Sequence, residues 1–148
     1  MSNVEIRPVT PADHSVWLQL WQAYLHFYDT ELPAETSALA WQRFLDPTEP
    51  THATLAWRGN QAIGLGQWIF HRSNWTVSHN CYLQDLFVQP DVRCGGVGRQ
   101  LIEHVLTQAR NAGSTNVHWL TQATNHTAMR LYDQMAKRSG FVQYRHAL

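Results

Sequence analysis

From Val4 to Val9 apolar and polar residues alternate, the pattern of a half-buried strand. Thr10-Pro11-Ala12-Asp13 then opens a helix, with Thr10 as N-cap and Pro11 at the first helical position. Trp17, Trp21, Tyr24 and Tyr28 recur along it at helical spacing. Leu18, Leu20, Leu25 and Phe27 widen its apolar surface, and Leu32-Pro33 breaks it. A second helix is predicted from Glu35 to Leu45, stopped by Asp46-Pro47. Three strands follow: Thr51 to Trp57, Gln61 to His71 after the turn Arg58-Gly59-Asn60, and Cys81 to Val88 after a polar loop from Arg72 to His79. Pro90-Asp91 ends the third. Val97, Leu101, Val105, Leu106 and Ala109 mark one face of a helix that ends near Gly113. Val117 to Leu120 reads as a short buried strand. Ala128, Leu131, Tyr132, Met135 and Ala136 mark a last helix with Gly140 as its C-cap, and Phe141 to Tyr144 a final strand. The order β-α-α-β-β-β-α-β-α-β predicts an α/β fold, a sheet of mixed direction with helices on both faces.

Composition narrows the class. A chain of 148 residues fits one domain, residues 1–148, and 44% apolar with 15% charged residues is an ordinary globular balance. Seven tryptophans point to a large aromatic core, an aromatic-lined cleft, or both. The formal net charge is zero, so no nucleic-acid partner is expected. Cys81 and Cys94 form no CxxC pair, and the nine histidines show no HExxH spacing, so neither a disulfide scaffold nor a metal site is expected. No apolar run approaches the roughly 20 residues that span a bilayer, and the first residues lack a signal peptide's apolar stretch. The expectation is a cytoplasmic protein with no membrane partner.

The candidate chemistry begins at Arg93-Cys94-Gly95-Gly96-Val97-Gly98, between a predicted strand and an amphipathic helix. A helix N-terminus offers unpaired N–H groups and partial positive charge, and glycines let the backbone approach an anion closely. Arg93 and Arg99 bracket the turn with further charge, which makes a good phosphate site. A P-loop would need Lys-Ser or Lys-Thr after its last glycine, where Arg99-Gln100 stand. A dinucleotide fingerprint would need a third glycine at Leu101. A plain glycine-rich turn is the competing reading of these residues taken alone.

The turn satisfies (Gln/Arg)-x-x-Gly-x-(Gly/Ala) directly after a strand, and in this the chain resembles the GNAT superfamily of N-acetyltransferases. Tyr82-Leu83-Gln84-Asp85-Leu86-Phe87-Val88 looks like that family's fourth strand, followed by Pro90 and Arg93. Asn125-His126-Thr127-Ala128-Met129-Arg130-Leu131-Tyr132 resembles its Asn-x-x-Ala-x-x-Leu-Tyr helix, and Ser139-Gly140-Phe141 the opening of its next strand. The likeness covers residues 4–145. It extends to the branch of the yeast histone and polyamine acetyltransferases and the diamine acetyltransferases, through residues 82–88 and Trp119-Leu120-Thr121. The chain departs from many relatives in Cys94, where they have Gly, and from the diamine acetyltransferases in Gln84, where they have Glu.

The resemblance implies acetyl-CoA as co-substrate. Leu86, Phe87 and Val88 would bond its pantetheine arm through their backbones, Gly95 to Arg99 would hold its pyrophosphate, and Asn125 would contact it near the pantetheine. Tyr132 would be the general acid toward the leaving sulfur. On an amphipathic helix a tyrosine is ordinarily core, and the motif carries the functional reading. Asp85 is the candidate proton acceptor through water, because a carboxylate in an apolar strand has a raised pKa. A structural carboxylate is its competing reading. Gln84, with strand alternation, should face away from Asp85. Tyr24 and Tyr28 are candidates to line the amine pocket, and Gln84 is a third substrate-side position. His71 and His79 flank the loop before the fourth strand, with surface positions as the plainer reading. The implied activity is acetyl transfer to a primary amine of a small molecule, a polyamine or an amino acid, by direct attack. Acetylation of a protein lysine or N-terminus, and a non-catalytic acyl-CoA sensor, are the alternatives. Relatives in the branch form homodimers, so a homodimer is expected.

Overall fold

A computed structural model describes residues 3–92 and 95–148. The expectations for Arg93 and Cys94 lie outside the described residues. Strand β1 (Val4–Pro8) leads through a single 3-10 turn, Pro11–Asp13, into helix α1 (His14–Phe27). The backbone N–H of Thr10 donates to Asp13 Oδ2 at 2.8 Å, closing the N-terminal half of the predicted start. Helix α1 ends earlier than the break at Pro33. Asp29 takes a left-handed φ of 50°, so Tyr28 caps the helix from just outside it instead of continuing the stripe. Helix α2 (Ala34–Leu45) follows.

Strands β2 (Thr51–Arg58), β3 (Gln61–Arg72) and β4 (His79–Val88) form an antiparallel meander with β1, and β5 (Val117–His118) adds in parallel to β4. The order across the sheet is β1-β2-β3-β4-β5. Helix α3 (Val97–Asn111) crosses between β4 and β5, and α4 (His126–Met135) follows β5. The expected mixed sheet with helices on both faces is therefore present.

One face buries Trp17, Leu20 and Trp21 of α1 and Trp41 of α2 against Leu55, Trp57, Leu65 and Phe87. Trp17 stacks on Trp21 with ring centroids 5.8 Å apart and lies 5.1 Å from Trp41, so three of the seven tryptophans form one aromatic block. The other face packs Ile102, Val105 and Ala109 of α3 on Trp68, Cys81 and Leu83, with Leu131, Tyr132 and Met135 of α4 alongside. Helix α3 sits close to the sheet because Gly64 lacks a side chain. A Cβ there would lie 2.9 Å from the Phe87 carbonyl oxygen and 3.2 Å from Leu101.

Two features decide where a ligand can go. The β3–β4 register runs Gln67↔Asp85 and then Trp68↔Leu83, which leaves Gln84 as a bulge. Asp85 and Phe87 consequently face α1, while Leu83 and Cys81 face α3. The second feature is the brevity of β5, which pairs only with Cys81 and Tyr82. Below that point β4 and the chain after β5 separate.

The end of the last helix and the final strand differ from expectation. Helix α4 ends at Met135 with Ala136 as its C-cap, not at Gly140. Gly140 has φ 84°, but five residues beyond the helix. Residues 141–148 carry no strand, and Phe141, Val142, Tyr144 and Leu148 are exposed. A strand needs a ladder partner, and among the described residues none reaches Phe141 to Tyr144.

Candidate active site

The gap between β4 and α4 is a cleft of about 380 Å³. One wall is the run Leu86, Phe87 and Val88 of β4. The floor is the start of α3, with Gly96, Val97, Gly98 and Arg99, and the opposite wall is Asn125 with the first two turns of α4. Tyr24 and Phe27 of α1, with Tyr28 just beyond its end, close it. Most of the cofactor-binding residues expected from sequence thus meet in one place.

The floor has the character of an anion site. Gly96 is the N-cap of α3 in the left-handed region, φ 78° and ψ 9°, and its carbonyl accepts from the Gln100 N–H at 3.1 Å. The N–H groups of the first turn have no intrahelical partner, and Gly96, Val97, Gly98 and Arg99 line the cleft. Arg99 is the only charged side chain among the described residues lining the cleft. Its guanidinium donates to Gln134 Oε1, so it ties the start of α3 to α4 as well as charging the floor. These are the properties a coenzyme A pyrophosphate needs, and the narrow cleft beside β4 suits an extended pantetheine arm.

Asn125 is the N-cap of α4, and its Nδ2 donates to Thr121 Oγ1 at 3.1 Å. Seven residues on, Tyr132 packs edge-on against Trp119, centroids 5.7 Å apart, and lines the cleft. Burial, then the nearby Tyr28, pushes the Tyr132 pKa above the ordinary phenol value. The side chain is both part of the core margin and a cleft group that keeps its proton.

Asp85 is not in the wall of the cleft. It is 8% exposed, behind Tyr24. Gln67 Nε2 donates to Asp85 Oδ2 at 2.8 Å, and Trp17 Nε1 donates to Gln67 Oε1 at 2.7 Å. The Tyr24 hydroxyl faces the same carboxylate. Desolvation raises the Asp85 pKa, and the Gln67 and Tyr24 contacts oppose that rise. Tyr24 is itself driven well above the phenol range, first by burial and then by the Asp85 charge. Tyr24 thus has one side on the cleft and the other on the carboxylate.

Gln84 is exposed in the bulge and lines a smaller hollow of about 20 Å³ with Tyr24, Tyr28, Trp119 and Tyr132. The bulge interrupts the pleat here, so Leu83 and Asp85, two positions apart, lie on opposite faces of the sheet. His71 and His79 lie away from the cleft. His71 is exposed with its ring 5.7 Å from His118, and His79 packs 4.8 Å from Phe70. Sequence reasoning missed Gln67 and the polar role of Trp17. The available signal was a lone glutamine in the apolar run Ala62-Ile63-Gly64-Leu65-Gly66-Gln67-Trp68-Ile69-Phe70.

Comparison with known proteins agrees with this geometry. The model of the acetyltransferase (GNAT) family matches residues 16–136. The D-amino-acid N-acetyltransferase HPA3 of Saccharomyces cerevisiae is 34% identical over 145 residues, covering 97% of this chain and 90% of the relative. A thialysine N-epsilon-acetyltransferase of Caenorhabditis elegans is 23% identical, covering 98% and 92%. Among solved structures, AAC(6')-Iy in complex with a bisubstrate analogue of coenzyme A superposes with a TM-score of 0.84 at 20% identity, covering 99% of this chain and all of the other. A ribosomal-protein-alanine N-acetyltransferase from Brucella melitensis superposes with a TM-score of 0.79 at 16% identity, covering 99% and 100%. With the family's motif residues gathered in one cleft and its model spanning most of the chain, this protein belongs to the GNAT acetyltransferase family and is an acyltransferase.

Proposed function

We propose that the protein moves an acetyl group from acetyl-CoA to a primary amine of a small molecule by direct attack. The observation that carries this is the single cleft in which a helix N-terminus, the Leu86–Val88 run, Asn125 and Tyr132 converge. The amides of Gly95 to Arg99 hold the pyrophosphate. The backbones of Leu86, Phe87 and Val88 bond the pantetheine arm, and Asn125 contacts it. Acetyl-CoA supplies the thioester carbonyl that the amine attacks.

An aliphatic ammonium must lose a proton before it can attack. Asp85 accepts it through Tyr24, which lines the cleft and whose hydroxyl bonds Asp85. Tyr24 takes the amine's proton as its own passes to the carboxylate, and Asp85 releases that proton to solvent after turnover. Tyr132 donates its proton to the departing sulfur and is reprotonated from the attacking nitrogen. Its raised pKa keeps it a donor at neutral pH. Tyr28 and Gln84 border the mouth on the acceptor side.

Both curated relatives carry amino-acid substrates in their names, which puts amino acids first in the acceptor panel, ahead of polyamines. No described helix is long and apolar enough to cross a membrane, and a cytoplasmic setting fits the buried free thiol of Cys81. We also propose a homodimer, because the exposed Phe141, Val142 and Tyr144 lie on a segment with no partner strand among the described residues. Calorimetry with acetyl-CoA, then thiol release on free amino acids of both hands, polyamines and a lysine peptide, tests the assignment. Turnover on a small amine supports it. Turnover on the peptide alone would make this a protein acetyltransferase, and binding without turnover would make it a sensor. Sedimentation velocity reads the dimer.

A further inference from the structure

We propose that Gln67 is a positioning residue that holds Asp85 in its ionised form, and that Trp17 fixes the direction in which it does so. The inference rests on the role given to Asp85 above. The three side chains come from three elements. Gln67 stands directly opposite Asp85 in the β3–β4 register and bonds it, and Trp17 reaches Gln67 from α1. Trp17 is 0%, Gln67 4% and Asp85 8% exposed, so bulk water does not compete for their hydrogen bonds.

The direction follows from donor and acceptor chemistry. An indole N–H only donates. The group that meets Trp17 Nε1 at 2.7 Å must therefore be the amide oxygen of Gln67. The amide nitrogen is then turned to Asp85, at 2.8 Å, and can only donate. A donor at that position favours a carboxylate and gives a protonated carboxyl nothing to donate to. Without Trp17 the amide is free to turn over and present its oxygen, which favours the protonated acid. The indole thus selects one of two amide orientations, and that choice opposes the desolvation of Asp85.

Among the described residues, the other titratable groups facing Asp85 are Tyr24 from α1 and Tyr82 on β4. Burial and the Asp85 charge hold both above the ordinary phenol value, so both stay neutral where Asp85 titrates. That leaves Gln67 and Tyr24 as the contacts that favour the charged form.

The test is the acid limb of the kcat/KM profile on an accepted amine, together with the Asp85 carboxyl carbon shift by 13C NMR, assigned through Asp85→Asn. Gln67→Met, which removes the donor, should move both to higher pH by about one to two units, the range expected for a lost hydrogen bond to a charge. Gln67→Glu keeps the shape and the Trp17 bond but sets a second carboxylate beside Asp85, and should move them at least as far. Trp17→Phe should shift in the same direction. A folded Gln67→Met or Gln67→Glu protein whose Asp85 titrates within about 0.3 units of wild type would overturn the inference. An acid limb that survives in Asp85→Asn refutes the acceptor role of Asp85. The carbon titration then decides on Gln67 alone, an upward shift supporting its role and an unmoved one overturning it.

Discussion

The two glycines on the floor of the cleft should respond oppositely to the same substitution. Gly96 has φ 78°, and a Cβ there would meet nothing within 4 Å. The penalty of Gly96→Ala is therefore backbone strain alone, about 1–2 kcal/mol for an L-residue in the left-handed region. For a domain of this size that lowers Tm by about 2–8 °C. Gly98 lies in the first turn of α3 with no positive φ, and its added Cβ would touch Leu131 at an ordinary 3.5 Å. Gly98→Ala should leave stability unchanged or raise it, by up to about 1 kcal/mol from helix propensity. It nevertheless places a methyl group in the floor of the cleft, at the proposed pyrophosphate site. Losing one charge-assisted hydrogen bond, about 1.5–3 kcal/mol, weakens acetyl-CoA binding roughly 10- to 100-fold. Thermal and urea denaturation measure the first effect, and calorimetry with acetyl-CoA the second. Gly96→Asn, a residue that tolerates left-handed backbone, should fall between wild type and Gly96→Ala in stability. If Gly98→Ala is as unstable as Gly96→Ala, or binds acetyl-CoA with wild-type affinity, the separation of a fold glycine from a ligand glycine is wrong.

Tyr132→Phe should keep the wild-type fold and acetyl-CoA affinity while lowering kcat by roughly 10²-fold or more, the usual worth of a positioned general acid, with single-turnover thiol release as the readout. Asp85 has a folded pKa above its unfolded value, so its ionisation costs stability as pH rises through that interval. Asp85→Asn should accordingly gain relative stability above it while losing activity, and parallel urea titrations at acid and neutral pH would show any opposite trend. Leu101→Ala removes a wholly buried side chain seated against Gly64 and Gly66, and should cost about 2–5 kcal/mol in chemical denaturation. Phe141→Ser with Tyr144→Ser should shift a dimer toward monomer in sedimentation velocity without lowering the Tm of the monomer.

The helices and the three long strands were legible because their faces are written as periodicity. The stripe of Val97, Leu101, Val105 and Ala109 became the buried face of α3, and the turn at Gly59 set β2 against β3. The cleft residues of β4, α3 and α4 were legible through motif spacing, since each motif lies at an element end that faces the gap. What was hidden depends on contacts distant in sequence. Trp17 and Gln67 are 50 positions apart, and only tertiary packing turns a core indole into a partner for a strand amide. The end of α1 at Phe27 is set by the left-handed Asp29, a residue with no strong breaking signal. The strand expected at Phe141 failed because apolar alternation predicts an edge's willingness to pair, not the presence of a neighbour.

The bulge at Gln84 carries a consequence for engineering the site. Leu83 faces α3 and Asp85 faces α1, so joining them directly would keep every core side chain of β4 on its own side. Gln84 is thus a surplus residue as far as packing is concerned. A deletion of this one position should yield a folded protein with a straighter β4, able to zip farther along the chain after β5. Weaker acetyl-CoA binding by such a folded protein would tie the opening beside β4 to that one residue.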